Sequence, residues 1–293
     1  MPGTFVEAEL ASQPEMWRRA AALAPSVADA LPQPGERVAV VGCGTSWFMA
    51  MSYAVAREQA GQGVTDAFAG SEYPADREYD RVLAISRSGT TTEIVALLTA
   101  LQGTRTTVIT AVEESPVTSV AAHTVLMPFA DEQSVVQTRF ATTTLALLRA
   151  HLGDDVEALA AQAEQALAVD IDDLLSSEQV SFIGRGPAVG LSFEAALKTR
   201  EAAQFWAESY PAMDYRHGPI AIAQPGRLTW SLGEAPEGLR AQVEATGARF
   251  VQHDLDPLAG LVVAQRFAIG VALARGLDPD HPRHLTRSVI LEP

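Results

Sequence analysis

The stretch RVAVVGCGTS, residues 37–46, reads as a buried strand, Arg37 to Gly42, that ends in a glycine turn and runs into a helix from Ser46 to Ala60. The strand is rich in β-branched residues with no alternating polar face, the pattern of a strand covered on both sides. Working downstream, Thr65 to Ala69, Arg81 to Ser86, Thr106 to Ala111 and Thr124 to Phe129 read as further strands. Helical runs from Thr91 to Leu101 and from Thr138 to Leu152 alternate with them or close the set. Strands alternating with helices predict an α/β fold built on a five-stranded, parallel, doubly wound sheet.

The pattern then restarts. Shifted by 142 positions, Gly42 falls on Gly184, Gly44 on Gly186, Ala54 on Ala196 and Ala60 on Ala202. Val180 to Gly184 is the second opening strand, followed by a long apolar helix read as reaching Glu208. Leu228 to Leu232, Arg249 to His253 and Val289 to Leu291 are its remaining strand candidates, and Leu258 to Arg275 is a helix. This second sheet is expected to be reduced. The reading divides the chain into a first domain at 1–155, an acidic helical linker at 156–178 and a second domain at 179–293.

The chain has 293 residues, of which 47% are hydrophobic and 19% charged, enough for a sizeable core and roughly two domains. Its net charge of −15 argues against nucleic acid or an anionic membrane as partner, since either would repel it. A small anion needs only a local nest of donors and stays possible. Cys43 is the sole cysteine, so neither an internal disulfide nor a CxxC metal site can form. The N-terminus lacks a basic start followed by an apolar run, and no apolar stretch is read as reaching the ~18 residues of a membrane span. The expectation is a cytoplasmic protein. Of the 21 basic residues only one, Lys198, is a lysine.

Four motifs carry chemistry. Gly42-Cys43-Gly44-Thr45-Ser46 offers backbone N–H groups and two hydroxyls at a helix start. Ser86-Arg87-Ser88-Gly89-Thr90-Thr91-Thr92 follows the third strand with more hydroxyls than capping requires. In a 2-1-3-4-5 sheet these two loops flank the switch point, where a phosphate monoester fits. The GxGxxG spacing of a dinucleotide site is missing. Glu194, Lys198 and Glu201 lie at i, i+4 and i+7 on one helix face. An exposed salt-bridge row is the plain alternative, but the apolar surroundings favour a partly buried polar site. Tyr215-Arg216-His217-Gly218-Pro219 places a histidine in a turn.

Taken together, GCGTS at 42–46, SRSGTT at 86–91, EQSVVQTRF at 132–140, GRG at 184–186, EAALKTRE at 194–201, AESYPAMDYRHGP at 207–219 and DHPRHLTRSVILE at 280–292 resemble the sugar isomerase (SIS) family. The resemblance is to the isomerase half of glucosamine-6-phosphate synthase and to stand-alone amino-sugar-phosphate deaminases and deglycases. It implies two tandem SIS domains, a homodimer with a shared active site, and a sugar-phosphate ligand. By resemblance, Gly44, Thr45, Ser46, Ser86, Arg87, Ser88, Thr91, Gln137, Thr138 and Arg287 bind the sugar phosphate. Glu201 would move a proton between C1 and C2, His217, supplied by the partner subunit, would serve ring opening, and Glu194 and Lys198 match acid and amine positions. No metal or other cofactor is demanded by such chemistry.

Three departures stand out: Arg87 replaces a family glutamine, Gln137 a serine, and Arg287 a lysine that can form an imine. Arginine cannot supply that imine. No glutaminase domain precedes the motifs, so glutamine-dependent amidotransfer is not expected. The reading is an amino-sugar (hexosamine) 6-phosphate isomerase/deaminase releasing ammonia. The alternatives are a fructosamine-6-phosphate deglycase, a plain aldose–ketose isomerase, and a non-catalytic sugar-phosphate-binding regulator.

Overall fold

The computed structural model describes residues 2–291. Helices α1 (Thr4–Ala11) and α2 (Gln13–Val27) precede the first strand. Then follow β1 (Val38–Gly42), α3 (Thr45–Gln59), β2 (Thr65–Ala69), β3 (Arg81–Ile85), α4 (Thr92–Ala100), β4 (Thr106–Thr110), α5 (Pro116–Val120), β5 (His123–Leu126) and α6 (Arg139–Leu152). The five strands form one parallel sheet in the order β2-β1-β3-β4-β5. Val38 lies between Thr65 and Arg81, so β1 and β3 are neighbours at the reversal of strand order. Every residue of β1, β3 and β4 is buried, as expected for central strands covered on both faces. β5 is shorter than the sequence predicts. Pro128, which has no N–H for a ladder, opens a turn at Pro128–Ala130 instead.

The second half begins with α7 (Val156–Leu167), whose Leu159, Ala160, Ala163 and Ala166 are buried. It continues through β6 (Gln179–Gly184), α8 (Ala188–Ala203), β7 (Ala207–Pro211), β8 (Arg227–Leu232), α9 (Leu239–Glu244), β9 (Arg249–Gln252) and α10 (Pro257–Ala274). These strands form a four-stranded parallel sheet, β7-β6-β8-β9. The architecture is therefore α/β with two parallel sheets, five-stranded and four-stranded.

Three sequence expectations need correction here. The helix read as reaching Glu208 stops at Ala203, because Gln204 adopts a left-handed conformation (φ 49°) and its amide closes on the Arg200 carbonyl. The chain then turns into β7, an edge strand the sequence reading missed. Val289 to Leu291 is not a strand. And α10, 18 residues long, is apolar enough by composition to span a membrane, against the expectation that no such stretch exists. Most of it is buried against protein: it packs on α8, and Phe267 meets Phe205 and Trp230 edge-on.

The chain divides into two compact units that are discontinuous in sequence. The first-sheet unit holds 15–132, 139–157 and the stretch from Thr286 on. The second-sheet unit holds the stretch to Pro14, 133–138 and 158–285. In the latter, Asp280 accepts hydrogen bonds from the Phe5 and Val6 amides, at 3.0 and 2.8 Å, and so caps α1 from far along the chain.

Candidate active site

In the first-sheet unit, the turn after β1 is shaped by glycine. A Cβ on Gly42 would lie 2.6 Å from the Ser46 carbonyl carbon, so only glycine lets α3 start this close to the strand. Gly44 (φ 54°) caps the helix, and Thr45 and Ser46 are buried in its first turn. The second loop follows β3, the strand beside β1. Its Gly89 (φ 66°) admits no side chain, since a Cβ would lie 2.6 Å from the Ser115 Cβ.

The hydroxyls of these loops divide into two groups. Those of Thr45, Ser46, Ser86 and Thr91 form no hydrogen bond among the described residues, although Ser86 is only 4% exposed. A buried hydroxyl without a partner, as in Ser86, is costly, and hydroxyls offered by the loops after two neighbouring strands are what an anion with many acceptor oxygens would satisfy. Ser88, by contrast, is engaged: its hydroxyl and those of Thr90 and Ser288 lie 2.9–3.1 Å from one another.

Arg87 is buried and donates to the Arg287 carbonyl at 3.0 Å, with a second nitrogen 3.8 Å from the Glu132 carboxylate. Glu132 is itself buried and accepts from the Arg139 and Phe140 amides at 2.7 and 3.1 Å, closing the N-terminus of α6. The Arg287 guanidinium donates to the Glu132 carbonyl and pairs with the Asp131 carboxylate. The sequence reading placed Arg87 and Arg287 in the site. It missed that they meet, and it missed Ser288 and Asp131. The signal was faint: Ser288 adjoins Arg287 in the motif, and nothing local marks a contact across about 200 positions.

In the second-sheet unit, α8 carries the charged row. Glu194 and Lys198 are 0% and 1% exposed, which excludes the plain salt-bridge row on a solvent face. The Lys198 ammonium sits 3.6 Å from Glu194 Oε1 and also donates to the Glu201 carboxylate. Glu201 alone of the three reaches the surface, its side chain 20% exposed. A buried amine between two carboxylates is held in position as well as in charge. Beside the row, burial pushes the Arg200 guanidinium below its usual range, and the Glu201 and Glu194 charges counter that.

Gln137 and Thr138 fall in this same unit; Thr138 is buried, and the Gln137 Oε1 has no hydrogen-bond partner. His217 ends an exposed turn (Asp214–His217), and no hydrogen bond or ion pair joins it to Glu194, Lys198 or Glu201 among the described residues.

Residues 33–152 match the family model described as SIS domain. The first-sheet stretch of the chain is thus similar to a SIS domain. It is 27% identical over 296 residues to glutamine–fructose-6-phosphate aminotransferase (isomerizing) of Sulfurisphaera tokodaii, an alignment covering 88% of this chain and 50% of that one. The chain spans about half the length of the curated relatives it matches. Among solved structures, glucosamine-6-phosphate deaminase from Thermotoga maritima superposes with a TM-score of 0.81 at 25% identity, covering 97% of this chain and all of that one. The C-terminal domain of glucosamine-fructose-6-phosphate aminotransferase from Francisella tularensis shares the fold, with a TM-score of 0.82 at 21% identity over 94% and 97% of the two chains. The matched SIS domain contains both hydroxyl loops, Gln137 and Thr138. Glu194, Lys198, Glu201, His217 and Arg287 lie outside the matched span.

Proposed function

We propose that this chain is a sugar-phosphate isomerase/deaminase acting on an amino-sugar (hexosamine) 6-phosphate. The observation that carries the reading is the Glu194–Lys198–Glu201 row, in which a buried amine orients one partly exposed carboxylate. The likeness to glucosamine-6-phosphate deaminase favours ammonia release over simple isomerisation. The four unengaged hydroxyls of the first-sheet unit support a phosphate handle, whose binding energy would position the reacting carbons.

In this reading the ring opens to a 2-amino aldehyde with help from His217, donated by a second copy of the chain. Glu201 takes the proton from C2, the electron pair forms the C1–C2 double bond, and the C1 oxygen gains a proton. Glu201 then returns its proton to C1, leaving an imine at C2. Water adds to that carbon and ammonia leaves, so hexosamine 6-phosphate and water give ketose 6-phosphate and ammonia. Lys198 orients Glu201 and offsets its charge. The second sheet is, in the same proposal, a second SIS domain reduced by one strand, and the protein works in the cytoplasm.

The test is a panel of glucosamine 6-phosphate, fructosamine 6-phosphate and the parent aldose and ketose phosphates, followed for ammonia and sugar products by NMR. Ammonia with a ketose phosphate from the hexosamine supports the proposal. Turnover confined to the fructosamine phosphate makes the chain a deglycase, and no turnover on any member defeats the enzymatic reading.

A further inference from the structure

The contacts at the SRSGTT loop close into a ring. Arg87 donates to the Arg287 carbonyl, the Arg287 guanidinium donates to the Glu132 carbonyl, and the Glu132 carboxylate faces Arg87. Further along the tail, the Thr92 amide donates to the Val289 carbonyl at 3.2 Å, and the Leu291 amide donates to the Thr92 hydroxyl at 2.9 Å. The segment 287–291 is thus fastened along the loop by both backbone and side chains. Its one hydroxyl at the loop, Ser288, sits among Ser88 and Thr90. Of the other hydroxyls assigned to the phosphate in this unit, that of Ser86 is buried without a partner, and those of Thr45, Ser46 and Thr91 make no hydrogen bond among the described residues.

We propose that Ser288 competes with one oxygen of the phosphate handle for Ser88 and Thr90, and that Arg87 is the positioning residue that fastens the tail there. The proposal rests on reading this loop as the phosphate cradle. A phosphate dianion is a stronger acceptor than a serine hydroxyl, so it takes Ser88 and Thr90 from Ser288. With Ser288 displaced, the tail keeps the Arg87 contact and the Arg287 bonds to Glu132 and Asp131 at its start, while the two bonds further along, from the Thr92 amide to Val289 and from the Leu291 amide to the Thr92 hydroxyl, loosen together. The tail is therefore a strap whose hold weakens as phosphate arrives, and Arg87 sets how firmly it holds beforehand.

Amide hydrogen exchange on the full chain, with and without inorganic phosphate, tests this. Phosphate should slow exchange in the loop at Ser88 and Gly89 and speed it at Thr92 and Leu291, the two amides tied to the tail. Slowed loop exchange with unchanged or slower exchange at Thr92 and Leu291 overturns the strap and leaves the phosphate cradle standing. Loop exchange indifferent to phosphate overturns both. In calorimetric titration, Ser288→Ala should bind phosphate about fivefold more tightly, the equivalent of one neutral hydrogen bond removed from the competition. Equal or weaker binding counts against the competition. Arg87→Gln should speed Thr92 and Leu291 exchange before phosphate is added and remove most of the phosphate response. A variant that merely loosens packing would keep that response, which would overturn the positioning role.

Discussion

The two glycine turns, 42–46 and 184–188, share a backbone and differ in chemistry. Gly44 and Gly186 both adopt φ 54°. A Cβ on Gly42 would lie 2.6 Å from the carbonyl carbon of Ser46, and one on Gly184 would lie 2.5 Å from that of Ala188. The same strand-to-helix approach thus fixes glycine at both places. Yet where the first turn has Thr45 and Ser46, the second has Pro187 and Ala188, which carry no hydroxyl. The fold supplies the turn in both units, and the side chains decide which turn can hold an anion. In the proposed function the second-sheet unit contributes differently, through the buried row on the helix that follows its turn.

The sharpest way to break this division of labour is Glu201→Gln. If the second-sheet unit supplies the proton transfer, kcat falls by about 10²–10⁴ while phosphate affinity is kept. Loss of binding with the carboxylate would instead join the two roles, and an unchanged ligand response with no activity to lose would favour the regulator. Gly42→Ala and Gly184→Ala come next. Each forces a Cβ against backbone and should cost about 1–3 kcal/mol, read from denaturant midpoints. Only the first should also weaken phosphate binding.

Ser46→Ala should then raise KM by about tenfold with kcat unchanged, as for one hydrogen bond to a charged group. Its mirror, Ala188→Ser, should leave both constants alone. A tighter ligand in the mirror variant would mean that the second turn is also a site.

The smallest effect concerns pH. Burial pushes His253, at the end of β9, below the ordinary imidazole range, so the folded state keeps it neutral where the unfolded chain protonates it. The unfolded state then binds more protons, and stability falls as pH drops below about 6.5. Denaturation of His253→Gln should lack this part of the acid sensitivity. An identical pH profile for both proteins would remove His253 from the account.

Much of this was legible in the sequence because local rules agreed. The five strands of the first sheet, both glycine turns and the shared face of Glu194, Lys198 and Glu201 follow from periodicity and turn chemistry. What was hidden depended on tertiary context. β7 follows an alanine-rich helix whose end is set by Gln204 in a left-handed conformation, with no glycine to announce it. The union of Arg87 with Arg287, and of Ser88 with Ser288, joins loops about 200 positions apart. The burial of the Glu194–Lys198–Glu201 row is legible from its apolar neighbours, whereas the seating of Lys198 against both carboxylates needs the folded helix.

The central claim is that Glu201 moves a proton on a hexosamine phosphate held by its phosphate. The most direct test follows glucosamine 6-phosphate by proton NMR with the native chain and with Glu201→Gln side by side. The prediction is a ketose 6-phosphate and one ammonia per sugar from the native chain, and bound but unchanged sugar with the variant. Unchanged sugar with both chains, or equal turnover by both, would contradict it.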